Sequence, residues 1–360
     1  MNSKLIWSVV TGLLLLAGCV DSDSGHDANI GSDQPEGNAA DTRGTPPPGA
    51  PDFQLDRIVV RRIFEDSVGN LWLGTNGNGA YRFNGESLDH FSVEQGLGGW
   101  AIRGIVEDES GCLWFATSAG VTQFDGTGFT NYTCDDGMID DDVWSLEIDH
   151  RGTIWLGTLQ GAMHFDGSTF TSVELPEAEP DPTRGVTSAR IVHDIMEDSR
   201  RRMWFGTNGG ACMRDGDTLT VYSEDDGLCN NAVNGILEDL DGNIWFATHH
   251  NGVCRWNGEE FTHFDESDGI HGTEAWKLYL DRSGNIWFPI EQAGVYRFDG
   301  ESFSNFHSDE GMKCNGVQSV LEDSAGRIWV GGWMALYHFD GEQFHDHQPS
   351  NDQHESVLPY

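Results

Sequence analysis

Beyond residue 57 the chain is written in short runs of alternating apolar and polar positions, and the runs recur. Val233-Asn234-Gly235-Ile236-Leu237-Glu238-Asp239 is an apolar run that ends on an acidic pair. Asn243-Ile244-Trp245-Phe246-Ala247-Thr248 follows it after a tight turn. A third run ends at Asn257-Gly258. A fourth, Phe261-Thr262-His263-Phe264, alternates aromatic and polar side chains. A period of two over so few residues, closed by Asn-Gly or Asp-Gly, predicts strands joined by hairpins. Type I′ turns, with positive φ at both central residues, are expected at these dipeptides.

The four-run unit occurs seven times. One Trp marks it, at Trp72, Trp114, Trp155, Trp204, Trp245, Trp287 and Trp329, with spacings of 42, 41, 49, 41, 42 and 42 residues. The long interval carries an insertion from Glu174 to Ser188 that contains three prolines. An Asp opens the first turn of each copy: Asp66, Asp108, Asp149, Asp198, Asp239, Asp281 and Asp323. A Gly follows three residues later in every copy but the fourth, which has Arg201. Asp at a turn start and Gly at its end is sound turn chemistry. No single copy can bury its Trp face alone. The pattern therefore predicts an all-β fold, a seven-bladed β-propeller of four-stranded antiparallel blades, over residues 53–348. Residues 349–360 are expected to form a tail. The repeat leaves open how blade seven meets blade one.

The N-terminus breaks this pattern. Lys4 precedes an apolar stretch from Leu5 to Leu16, which is short for a membrane span, and Leu16-Ala17-Gly18-Cys19 resembles the lipobox of bacterial lipoproteins. A signal peptide over residues 1–19, lipidation of Cys19 and anchoring in the cell envelope are expected. Val20, rather than Asp, points to the outer membrane. Residues 20–52 are rich in Asp, Ser, Gly, Asn and Pro, cannot bury much apolar surface, and read as a tether. Six cysteines remain: Cys112, Cys134, Cys212, Cys229, Cys254 and Cys314. Export permits disulfides, and fifteen pairings stay open. Cys212 and Cys254 hold the same place in neighbouring copies and are expected to lie too far apart to bridge.

Charge narrows the partners. Asp and Glu number 59 against 20 Lys and Arg, a formal net charge of −39. Repulsion from phosphates argues against nucleic acid. Lys occurs only at Lys4, Lys277 and Lys313. Acid pairs mark the loops between copies: Asp135-Asp136, Asp140-Asp141-Asp142, Asp225-Asp226 and Asp309-Glu310. Calcium would want several such oxygens together, but no EF-hand pattern is present, so structural or solvated use is expected and no cofactor is assigned. The membrane is touched through the lipid anchor alone.

Val317-Gln318-Ser319-Val320-Leu321-Glu322-Asp323 through Gly326-Arg327-Ile328-Trp329 resembles the two-component regulator propeller repeat. So does Glu65-Asp66 through Gly69-Asn70-Leu71-Trp72-Leu73-Gly74-Thr75. The resemblance covers all seven copies. It implies a propeller like those that form the periplasmic input half of hybrid sensor kinases and detect carbohydrate-derived signals. One propeller is read here, with no Ig-like connector and no kinase or receiver domain after it. The expectation is a non-catalytic, sensor-type module that binds a small-molecule or glycan ligand, or a signalling protein on another chain. Two alternatives are kept. One is a propeller lyase resembling streptogramin B lyases, with His193, His249, His271 and Glu274 as the nearest candidates for a His/Glu/magnesium site. The other is an envelope assembly scaffold.

Binding residues are sought where the repeat fails to fix the residue type. Five residues before each turn Asp stand Arg61, Arg103, Trp144, His193, Asn234, Trp276 and Gln318, between neighbours that stay apolar or small. They are expected to ring the channel mouth, where arginines with tryptophans suit a sugar, a peptide or an anionic group. The loop after the Trp strand departs from its usual form in copies five to seven, which adds His249, His250, Glu291, Gln292 and Trp333. His249-His250 is not assigned to a metal, because adjacent residues of an extended chain point opposite ways. No nucleophile motif occurs, and no catalytic residue is assigned.

Overall fold

Each repeat closes its first turn around one aspartate. The computed structural model describes residues 58–179, 188–272, 274–307, 311–312 and 316–347. The leader, Cys19, the tether, Lys313, Cys314, Asp309-Glu310 and the tail lie outside the described residues. In all seven repeats the turn Asp accepts the indole N–H of the Trp six residues on, at 2.7 to 3.0 Å. Its other oxygen accepts backbone N–H groups within the turn, as Asp66 does from Val68 at 3.2 Å and Asn70 at 2.7 Å. The fixed Asp-to-Trp offset thus satisfies the one polar atom of a buried indole. Arg201 takes the glycine's place in the fourth turn at φ 69°.

Every sheet consists of four consecutive antiparallel strands. In blade one they are Val60–Glu65, Leu71–Thr75, Ala80–Phe83 and Leu88–Phe91, in that order from the inside out. The innermost strands of the later blades are Ile102–Glu107, Val143–Ile148, Val192–Glu197, Val233–Glu238, Tyr279–Leu280 and Val317–Glu322. The seven-bladed all-β propeller is therefore as expected. The seven recurring tryptophans and the strand around each of them form the cores between blades. Trp72, for example, packs on Ile102, Ile105 and Phe115 of blade two.

Among the described residues no strand is exchanged at the ring closure. Blade seven meets blade one through a single backbone bridge, Val59 to Trp333, and through side chains: Ser319 Oγ accepts from Ile63 N at 3.0 Å, and Glu65 accepts from Ser324 N at 2.6 Å and Oγ at 2.7 Å. The same contact recurs at Glu107 from Ser67, Glu197 from His150, Glu238 from Ser199 and Glu322 from Arg282. At the two remaining joints the acceptor is replaced by Ile148 or Leu280, and the facing residue by Glu109 or Leu240.

The hairpins differ from expectation. Asn84 and its counterparts keep negative φ, and only the following Gly is left-handed, as Gly85 is at 92°. In six blades the Asx side chain caps the loop instead. Asn84 Oδ1, for instance, accepts from Glu86 N and Ser87 N. Four residues separate Phe83 from its partner Leu88, so a two-residue type I′ turn is not needed. The acid pairs also serve turns. Asp136 accepts from Thr133 N at 2.9 Å, and Asp226 from Ser223 N at 3.0 Å. Cys229 and Cys254 form a disulfide within blade five. Cys112, Cys134 and Cys212 are unbridged, and burial pushes the Cys212 thiol up to about 12.

Candidate functional site

Six inner strands carry a β-bulge at the same place. The register against the second strand slips across Arg61, Arg103, Trp144, His193, Asn234 and Gln318. A bulge leaves one residue out of the ladder and re-aims its side chain. The sixth blade reaches the same end differently. Pro289 stands where the other Trp strands have Gly or Ala and has no N–H to donate; the inner strand keeps its ladder at Tyr279–Leu280 and a single bridge, Ala275 to Ile290, on the far side of Trp276. Trp276 is thereby released to join the others.

All seven side chains line one cavity at the channel mouth, together with Lys277. The cavity measures about 40 Å³. Ligand pockets usually hold roughly 300–1,000 Å³, and a water molecule claims about 30 Å³. The mouth is therefore largely filled by its own side chains. It has room for a carboxylate-sized group and none for a sugar ring.

Trp144 organises the basic side. Its ring lies 4.3 Å from the Arg103 guanidinium and 5.3 Å from that of Arg61, with His193 edge-on at 5.6 Å. Asp142 holds Arg103 by an ion pair and accepts the Trp144 indole N–H at 3.2 Å. Lys277 crosses to Asp194 at 2.6 Å. Opposite, His193 Nε2 meets Asn208 Oδ1 at 2.9 Å, and Asn234 Nδ2 donates to Ala275 O at 2.9 Å. Burial, then the charge of Arg103, pushes the Arg61 guanidinium down to about 10 against the opposing pull of Asp142. Deeper in the same strands, burial and then Asp194 lift the Glu147 carboxyl to about 8.

The loop set divides. His249 Nδ1 lies 2.6 Å from Glu274 Oε1. A hydrogen bond with Glu274, then burial, holds the Glu291 carboxyl above the ordinary range, while Trp276 and His249 pull it back. This group therefore borders the mouth at Trp276. The His250 ring packs edge-on against His249 at 4.4 Å, because the chain bends there and is not extended, contrary to the geometry assumed from the sequence. Gln292 is exposed in a left-handed turn, and Trp333 stands exposed on blade seven, so neither joins the group. Of the lyase-type candidates, His249 and Glu274 meet. His193 belongs to the mouth, and His271 faces Glu266 at 3.8 Å in solvent.

Sequence reasoning missed Lys277, Asp142, Asp194 and Glu147. Lys277 carried a usable signal as the lone Lys of its repeat. Two larger cavities, of about 580 and 600 Å³, lie beside the described ends of the insertion in blade three.

The two component regulator propeller model matches residues 54–77, 137–160, 185–209, 227–250 and 311–334. The matches fall on blades one, three, four, five and seven and pass over blades two and six. No curated protein matches the chain. Among solved structures it is similar to a streptogramin B lyase, with a TM-score of 0.64 and 16% identity over 79% of this chain and 94% of that one. A catalytically inactive virginiamycin B lyase from Staphylococcus aureus with quinupristin gives 0.61 and 14% over 78% and 94%. PorZ, a bacterial surface component of the type-IX secretion system of Porphyromonas gingivalis, gives 0.59 and 13% over 77% and 46%. At these identities the likeness is one of fold. Repeat, ring and family match agree that the chain is a seven-bladed propeller, five of whose blades carry the two component regulator propeller repeat.

Proposed function

We propose that this chain is a non-catalytic, sensor-type binding module that takes its ligand at the channel mouth and passes its signal to another chain. The observation that carries the proposal is the convergence of seven side chains of five residue types, six of them delivered by bulges, on one opening of an otherwise regular ring. Residues that serve only packing would not differ so widely at equivalent positions. The family's repeats support a sensing role. The lipobox-like Leu16-Ala17-Gly18-Cys19 supports an extracytoplasmic, lipid-anchored protein at the outer membrane. Thermal-shift screening of the purified chain against glycans, peptides and divalent cations tests the proposal, because a ligand of the folded state raises Tm by mass action. A hit should be lost in Trp144→Ala and Trp276→Ala. A hit untouched by both variants removes the mouth as the site. A flat screen favours a scaffold.

One observation favours a second reading. His249, Glu274 and Glu291 form a connected acid–base group on one face, and the fold is similar to that of streptogramin B lyases. Incubation of the chain with quinupristin and magnesium, followed by mass spectrometry, decides the matter. Linearisation that disappears in His249→Ala would make the chain a lyase, and an intact substrate retires that reading.

A further inference from the structure

Basic residues are scarce in this chain, yet they gather at its axis. Arg61, Arg62, Arg103 and Lys277 come from the inner segments of three blades, in a protein of net charge −39. Two of them are compensated: Arg103 by Asp142 and Lys277 by Asp194. Arg61 is not. Its guanidinium rests against the face of Trp144 and makes no hydrogen bond among the described residues, although it lines the cavity. Across the ring closure from it, Gln318 lines the same cavity; its amide NH2 is the end that can donate to an anion, and its Oε1 has no partner among the described residues. Arg61 is half-buried, and its guanidinium presents free donors in a fork that matches a carboxylate.

We infer that the mouth is a seat for a single carboxylate, received by Arg61 beside Arg103 and Gln318, so that the ligand of the site is a small organic acid or carries a terminal carboxylate. This rests on the binding role proposed above and names the ligand's chemistry. The about 40 Å³ of space fits such a head group while the body of the ligand stays outside. Burial and then Arg103 lower the Arg61 pKa against Asp142, and an anion at this place would oppose the first two. Two exposed aromatics flank this sector of the rim, Trp100 at 52% and Trp333 at 55% exposure. Their backbones are bridged to blade one through Asn76–Ala101 and Val59–Trp333, next to Arg61 and Arg103. They offer apolar faces to the body of the ligand.

The test uses sodium formate and sodium acetate, with sodium chloride at matched ionic strength as the reference. In the purified chain, formate and acetate should raise Tm by roughly 2–4 °C at saturation and alter the Trp fluorescence, whereas chloride should not. Arg61→Gln should abolish the response. Arg82→Gln, whose arginine pairs with Asp89 on the outer strands, should keep it. Gln318→Glu supplies a resident carboxylate, so it should raise Tm without added salt and remove the response to formate. That variant keeps the inference open to refutation should Arg61→Gln fail to fold. An equal response to chloride overturns the carboxylate assignment, and so does a Gln318→Glu variant that is destabilised and still responds. No response to any anion, together with a mouth-dependent hit for a neutral ligand in the wider screen, overturns the carboxylate seat and leaves the binding role standing.

Discussion

Removing one turn aspartate should show how much of the fold rests on the Asp–Trp contact. Asp239 accepts from Trp245 Nε1 at 2.8 Å, from Asn243 Nδ2 at 2.9 Å, and from the backbone N–H groups of Asp241 and Asn243 at 3.0 and 2.9 Å. Trp245 is fully buried. Asp239→Ala leaves its indole N–H with neither protein nor water, at a cost of about 1–3 kcal/mol. The two turn amides can reach solvent, and losing their acceptor adds about 0.5–1 kcal/mol each. The expected total is roughly 2–5 kcal/mol, seen in urea denaturation followed by Trp fluorescence. Asp198→Ala should cost more by about 1–2 kcal/mol. Its carboxylate also holds Arg202 at 2.6 Å, where the side chains are 10% and 0% exposed, so a buried charge is stranded as well. Trp245→Phe supplies the cross-check. With the donor gone, Asp239→Ala should cost less in the Phe background than in the native one, a coupling of about 1 kcal/mol or more. Additive effects, or an Asp239→Ala change under 1 kcal/mol, would show that the aspartate serves the turn alone.

Three further outcomes follow from the same geometry. Glu65→Ala removes two bonds from Ser324 at the ring closure; discounted for exposure, they are worth about 1–2 kcal/mol, and denaturation of this variant beside Glu107→Ala should give similar losses if the closure is an ordinary joint. A much smaller loss at Glu65 would mean that apolar packing alone seals the ring. Because the Glu147 carboxyl is raised from 4.5 to about 8, the folded state holds its proton more tightly than the unfolded chain. That stabilisation is complete below about pH 4.5 and is lost as pH rises through 8, so Glu147→Gln should flatten the stability profile across this window. An unchanged profile refutes the assignment. Val317→Ala should cost about 2 kcal/mol from a fully packed site, while Gln318→Ala, one residue on, should be neutral or slightly stabilising because an unpaired buried acceptor disappears; equal losses in denaturation would contradict the division of labour between these neighbours.

The parts of the fold that were legible are those where one residue has one local job. Trp245, Asp239 and Gly242 recur because a buried indole, its acceptor and a left-handed turn position each admit few residue types. Ring closure was not legible, since Glu65 and Ser324 lie at opposite ends of the chain and meet only after closure. At the mouth, the seven variable positions could be found because each departs from an otherwise uniform repeat. Their acidic partners could not. Asp142 belongs to an acid run that looks like loop solvation, and Asp194 reaches Lys277 from two blades away. The disulfide was equally hidden, because Cys254 shares its repeat position with the unbridged Cys212, and its partner Cys229 stands before the inner strand at a position that other copies fill without cysteine.

The bulge explains why site and scaffold can be read separately. A residue left out of the ladder makes no register-defining pair, so its type is not dictated by the strand beside it. The residues before it, Val60, Ile102, Val143, Val192, Val233 and Val317, are all apolar and essentially without exposure. They hold the inner strand against the next blade whatever the bulge carries. Seven such positions let one opening be composed from seven independent choices while the Asp–Trp turns stay constant. The exception fits the same logic. Blade six has a shortened inner strand opposite Pro289, and it is this blade that sends two side chains to the mouth, Trp276 and Lys277. Where the scaffold yields most, the site gains most, and the loss of ladder pairing in blade six is best understood as part of how the mouth is built.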